Sequence, residues 1–144
     1  YFAPIMVGIL CGILVGLSST LLCSWLLNLH PDMIASLLPK SITTPIGMEL
    51  SNQLGGIQAV TVFAILVTGI MGAVVAEIVF RFFRIHHPIA KGIALGCSSH
   101  AIGTTKALQL GHIEGAMSSL AIGVCGILTV FIAPVVWNLI IAFL

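Results

Sequence analysis

The chain has 144 residues, of which 59% are hydrophobic and 6% charged, with a net charge of +1 and a mean hydropathy of +1.23. Water-soluble domains carry roughly 25% charged residues, which excludes an ordinary soluble domain, and the same numbers exclude collagen-like, disulfide-rich and disordered classes. The near-neutral balance leaves no electrostatic footprint for nucleic-acid binding.

No Asp, Glu, Lys or Arg occurs from Tyr1 to Pro31, from Leu50 to Ala76 or from Gly115 to Leu144. Each run exceeds the ~20 apolar residues that cross a ~30 Å hydrocarbon core. Three spanning helices are therefore expected. Tyr1 opens the chain with no basic stretch or cleavage motif behind it, so no signal peptide is expected and the chain reads as the core of something longer.

The first span is predicted over residues 2–27. Gly8, Gly12 and Gly16 recur on it at every fourth position, a small-residue stripe that lets a second helix, or a second copy, approach closely. The next stretch, residues 31–55, is broken at its centre by Pro-Lys-Ser-Ile-Thr-Thr-Pro-Ile-Gly (39–47). The second span is predicted over 57–80. A second interrupted stretch, 88–111, carries Gly-Cys-Ser-Ser-His-Ala-Ile-Gly-Thr-Thr-Lys at its centre (96–106). The last span begins near Gly115, with a kink expected at Pro134.

Each interrupted stretch has limbs about half a bilayer long, the pattern of a re-entrant hairpin whose irregular backbone needs protein or a wet cavity around it. The two stretches also match. Ile46, Gly47, Gln53, Leu54, Gly55 and Ile57 reappear 56 positions later as Ile102, Gly103, Gln109, Leu110, Gly111 and Ile113. His30-Pro31 and His87-Pro88 mark the start of each. The expected fold is an all-α membrane protein with three full spanning helices and two re-entrant hairpins in an inverted repeat. Residues 1–144 form a single transmembrane domain: repeat one about 1–56, repeat two about 57–112, and a final helix over 113–144. Arg81, Arg84, Lys91, His86 and His87 share one loop, which the positive-inside rule makes cytoplasmic. Hairpin one then enters from outside, hairpin two from the cytoplasm, and the tips meet near the midplane.

Ser41, Thr43 and Thr44 precede Pro45 as hydroxyl cap and first-turn proline, and Ser98, Ser99 and His100 hold the matching positions. Helix N-termini facing each other at the midplane would suit a small carboxylate. Candidate substrate-binding residues are Lys40, Thr43, Thr44, Asn52, Ser99, His100, Thr104, Thr105 and Lys106, with Lys40 or Lys106 supplying charge. Glu49 and His100 are candidates for proton coupling; helix capping or ion pairing accounts for the same residue types. Glu77, Arg81 and Arg84 read as an interfacial anchor. Cys11, Cys23, Cys97 and Cys125 have no metal-type spacing and read as small reduced core residues. His30, His86, His87 and His112 read as interfacial, and neither a metal, a cofactor nor an enzyme motif is expected.

The segments at 40–49, 54–57, 89–96, 99–107 and 114–121 resemble the LrgB/CidB family along nearly the whole chain. Members usually carry further membrane helices ahead of the matching region. The resemblance implies a multi-pass protein of the bacterial inner membrane, partnered by a small LrgA/CidA-type membrane protein. It implies either antiholin-like control of murein hydrolase activity or transport of pyruvate-, glycolate- or glycerate-like anions, the latter through a plastidal relative. Proton-coupled monocarboxylate transport is the reading that joins the resemblance to the residues, with lipid, the carboxylate, the small partner and a homo-oligomer as associations.

Overall fold

The computed structural model describes residues 2–142, leaving Tyr1 of the expected first repeat and Phe143 and Leu144 of the expected final helix outside it. Six α-helices and one 3-10 turn follow in order: α1 (Phe2–Leu26), α2 (Pro31–Leu37), the turn (Leu38–Ser41), α3 (Thr44–Gln53), α4 (Gln58–Phe82), α5 (Pro88–Leu110) and α6 (His112–Ile141). Helices α1, α4 and α6 are long and apolar enough to cross a membrane. Large apolar side chains such as Leu14, Phe63, Val74 and Phe131 are exposed on them, as a lipid-facing surface requires. Helix α6 carries Pro134 in its interior without ending there.

The termini follow local chemistry. Proline occupies the first turn of α2, α3 and α5, where its missing N–H costs nothing. Helices α1, α3 and α4 end alike: Asn28, Gly55 and Arg84 take positive φ. The next N–H then donates to the carbonyl five residues back, as in Leu29 to Ser24, Gly56 to Ser51 and Ile85 to Phe80.

Helix α5 is not straight. His100, at φ 43 and ψ −127, breaks it into limbs 88–99 and 101–110, and contacts with α4 and α6 give their directions. Along α4, Gly72 meets Ser99 while Ala76 and Phe80 cluster with Leu95, so the first limb runs antiparallel to α4. Gly69 meets Ile102 and Glu77 meets Lys106, so the second limb runs parallel to it. Against α6, Gly92 packs on Glu114 and Gly96 on Ser118, whereas Thr104 bonds Ser118 and Leu108 packs on Gly115. The chain doubles back at a single residue rather than across the polar stretch 96–106. A Cβ on Gly103 would lie 2.5 Å from the Leu95 carbonyl oxygen.

The first interrupted stretch also folds back, but more gradually, through the 3-10 turn and extended Ile42 and Thr43. Ser36 bonds the backbone at Ile57, while Ser51 bonds Thr61 and Gly47 faces Ile65. Its turn therefore points along α4 from the N-terminal end, and the α5 break points along α4 from the C-terminal end. They meet near the middle of α4, where the His100 ring bonds the Lys40 carbonyl. The fold-backs share a register: Gly47 faces the Pro39 carbonyl as Gly103 faces that of Leu95, eight residues back in each case.

Helix α1 lies beside the first limb of α5, with Gly8 on Ile93, Gly12 on Cys97 and Gly16 on Ser41. The main core joins Ile9, Ile13 and Leu17 to Ile34, Leu38, Ile93, Cys97, Ala121, Cys125 and Trp137. Two cysteines depart from the expected core role: Cys11 and Cys23 are exposed on α1, while Cys97 and Cys125 are buried.

Candidate functional site: a cleft ending at the meeting point of the two turns

A cleft of about 770 Å³ runs between α1 and the first limb of α5. One end lies at Pro4, Ile5, His87 and Ile89, beside the α4–α5 connection. The other lies at Lys40, Ser41, Thr68 and Ser98, where the two turns meet. The glycine stripe of α1 forms one wall; with hydrogen in place of side chains, that wall stays open while the helices remain close.

Lys40 is half-buried and forms no ion pair or side-chain hydrogen bond among the described residues. A cation desolvated beside apolar walls gains from a mobile anion what an internal carboxylate would otherwise supply. Hydroxyls on different elements line the same cleft: Ser41 on the turn, Thr68 on α4, Ser19 on α1 and Ser98 on α5. Ser98 Oγ also lies 2.7 Å from the Ala94 carbonyl and 3.1 Å from Ser99 Oγ.

Behind the cleft, His100 is 3% exposed, and its Nε2 lies 2.9 Å from the Lys40 carbonyl oxygen. A carbonyl only accepts, so Nε2 carries the proton. The bond joins the two turns and fixes the backbone from which Lys40 projects. His100 does so from a dihedral region that strains any residue with a Cβ.

Of the residues read from the sequence as substrate-binding, Lys40 lines the cleft, and Ser99 and His100 stand directly behind it. Thr43 and Thr44 sit at the start of α3 beyond the turn, with no side-chain cap bond from Thr43. Thr104 bonds the His100 carbonyl at 3.0 Å and Ser118 Oγ at 2.7 Å, which commits its hydroxyl to packing against α6. Thr105 is exposed and bonds back to Ala101. Asn52 is exposed near the end of α3, away from the turns. Lys106 pairs with Glu77, which Arg81 also approaches at 3.6 Å. Glu49, read as a proton carrier, is exposed in a shallow groove on α3 and accepts from Gln53 at 3.1 Å.

Thr68 and Ser19 escaped the sequence reading. Thr68 carried a signal, being the one hydroxyl in the otherwise apolar run 62–76. Ser41 and Ser98 read from the sequence as hydroxyls at two matching helix starts, not as substrate-binding residues. Outside the spans, Asp32 is held below the usual carboxylate range by its hydrogen bond to the His30 ring, helped by the Met33 N–H. Among the described residues no cluster of His, Cys, Asp or Glu could hold a metal ion.

The family model described as LrgB-like matches residues 1–139. The chain is 38% identical over 135 residues to an uncharacterized protein, YxaC, of Bacillus subtilis (strain 168), covering 93% of this chain and 59% of that protein. It is 39% identical over 132 residues to an uncharacterized protein of Haemophilus influenzae, covering 92% and 57%. It is 34% identical over 132 residues to the antiholin-like protein LrgB of Bacillus cereus, covering 92% and 56%. The chain thus spans a little over half the length of the curated relatives it matches. No solved structure matches. The chain belongs to the LrgB-like family.

Proposed function

We propose, starting from membership of the LrgB-like family, that this chain is the core of a bacterial inner-membrane transporter for small monocarboxylates of pyruvate, glycolate or glycerate size. The observation that carries the reading is the cleft lined by several hydroxyls and by Lys40, which has no ion pair among the described residues, level with the middle of a spanning helix. Lys40 neutralises the carboxylate, Ser41 and Thr68 donate to its second oxygen or to a 2-oxo group, and Ser98, whose hydrogen goes to the Ala94 carbonyl, accepts from a 2-hydroxy group.

The opposed directions of the two fold-backs along α4 support reading them as re-entrant hairpins of an inverted repeat. The cleft then opens on the side of Arg81, Arg84, His86, His87 and Lys91, the cytoplasmic side by the positive-inside rule. The His100–Lys40 contact closes the opposite side. Alternating access requires parting the turns, so that bond breaks in each cycle. Proton coupling and a small LrgA/CidA-type partner complete the proposal.

The test is uptake of radiolabelled pyruvate and glycolate into proteoliposomes holding the full-length protein, with and without its small partner and an imposed pH gradient. Uptake above empty vesicles, lost in Lys40→Met with insertion intact, is expected. A Lys40→Met protein that transports like the parent overturns the assignment of the site. A second reading is favoured by the name of the Bacillus cereus relative: antiholin-like modulation of murein hydrolase activity with no transport of its own. It predicts no uptake by any variant and altered hydrolase release that Lys40→Met leaves unchanged.

A further inference from the structure

Two buried thiols face each other across the α5–α6 interface, and nothing in the proposed transport cycle uses them. Cys125 Sγ lies 3.1 Å from Cys97 Sγ. Both are free, at 2% and 8% exposure, while Cys11 and Cys23 are exposed on α1. We propose that Cys97 and Cys125 form an oxidation site at which a hydroperoxide-class oxidant closes a disulfide between the first limb of α5 and α6. This inference stands on the helix packing and does not depend on the transport reading.

Three features support it. The sulfurs are about 1 Å beyond the ~2.05 Å bond length, a gap that side-chain rotation and a small helix shift can close. The neighbourhood is small-sided: Gly12 stands opposite Cys97, where a Cβ would lie 3.0 Å from Cys97 Cβ and 3.3 Å from its sulfur, and Gly126 follows Cys125. The third feature is access, because Cys97 lines the cleft while Cys125 lies behind it. A small neutral peroxide reaches Cys97 along the cleft, whereas a bulky charged thiol reductant is disfavoured among apolar walls.

The chemistry balances without a cofactor. Cys97 sulfur attacks one peroxide oxygen, the O–O bond breaks, and the released hydroxide takes the Cys97 proton as water, leaving a sulfenic acid. Cys125 sulfur then attacks Cys97 sulfur, the S–OH bond breaks, and that hydroxide leaves as a second water with the Cys125 proton. Two thiols lose two electrons and two protons, and hydrogen peroxide becomes two waters. The disulfide pins Ser98, Ser99 and His100, which directly follow Cys97.

The test treats membranes carrying the full-length protein with hydrogen peroxide, then denatures them in excess N-ethylmaleimide for peptide mass spectrometry. The expected result is an intrachain-linked peptide pair containing Cys97 and Cys125, two hydrogens lighter than the free pair. Maleimide labelling at both positions is largely lost and returns with dithiothreitol, while Cys11 and Cys23 stay labelled. Cys125→Ser removes the linked species and leaves Cys97 as a sulfenic or higher acid. Full labelling of Cys97 and Cys125 after both peroxide and the membrane-permeant oxidant copper–phenanthroline overturns the proposal. So does a link between chains, or higher oxidation of wild-type Cys97 without a linked pair.

Discussion

Replacing Gly103 with alanine tests the doubling-back of α5 with one methyl group. In a straight helix, residues 95 and 103 are separated by about 12 Å along the axis, eight residues at 1.5 Å each, and a methyl at 103 could not reach Leu95. In the folded-back arrangement the new carbon lies 2.5 Å from both the Leu95 carbonyl oxygen and Ser99 Cβ. Neither the backbone oxygen nor a Cβ can swing aside, so the limbs must part by roughly 1 Å, an overpacking that costs about 1–3 kcal/mol. Alanine recovers up to about 1 kcal/mol of helix propensity, so the proper reference is Gly123→Ala in α6, whose new Cβ would meet nothing within 4 Å. Gly47→Ala should fall between the two. Its closest contact, at 2.7 Å, is the flexible end of Ile65, and the Pro39 carbonyl is 3.3 Å away. Reversible unfolding of the purified full-length protein in mixed detergent micelles, titrated with SDS, gives the comparison. If Gly103→Ala is as stable as Gly123→Ala, the limbs are not packed together and the reasoning fails.

Thr61→Val should destabilise the same preparation by about 1–3 kcal/mol, because the Ser36 carbonyl and Ser51 hydroxyl lose a buried partner; an unchanged midpoint would refute this. At the junction of the turns, His100→Gly should be more stable than His100→Ala by about 1 kcal/mol. Both lose the bond to Lys40, but only alanine keeps a Cβ at φ 43; the reverse order would count against the strained break. Glu77→Gln should lower the thermal midpoint more than Lys106→Met. The first leaves Lys106 unpaired, whereas the second leaves Glu77 its contact with Arg81. Equal midpoints would mean that Lys106 finds water or another partner.

Much of the framework was legible because it depends on runs of residue type. The charge-free stretches locate the helices now seen as α1, α4 and α6, and motifs such as Ser-His-Ala-Ile-Gly-Thr-Thr-Lys point to the LrgB-like family. The prolines at 31, 45 and 88 mark the starts of α2, α3 and α5 by local sterics alone. Pairings across the fold were less legible. Lys40 and Lys106 look alike in sequence, each a cation within an interrupted apolar stretch. Only packing decides that Lys106 meets Glu77 while Lys40 lines a cleft with no ion-pair partner among the described residues. Thr104 and Ser98 are likewise both hydroxyls near a break, and the approach of α6 commits one of them to Ser118.

What the sequence by itself determined is the membrane character, the helix inventory and the family, because hydrophobic run length and terminal chemistry act over a few turns of chain. What only the tertiary structure decided is where the two interrupted segments turn, which side chains meet there and which are left unpartnered. Those outcomes depend on distances between residues tens of positions apart, set by glycine faces such as Gly96 on Ser118 and Gly12 on Cys97 that let whole helices come within contact.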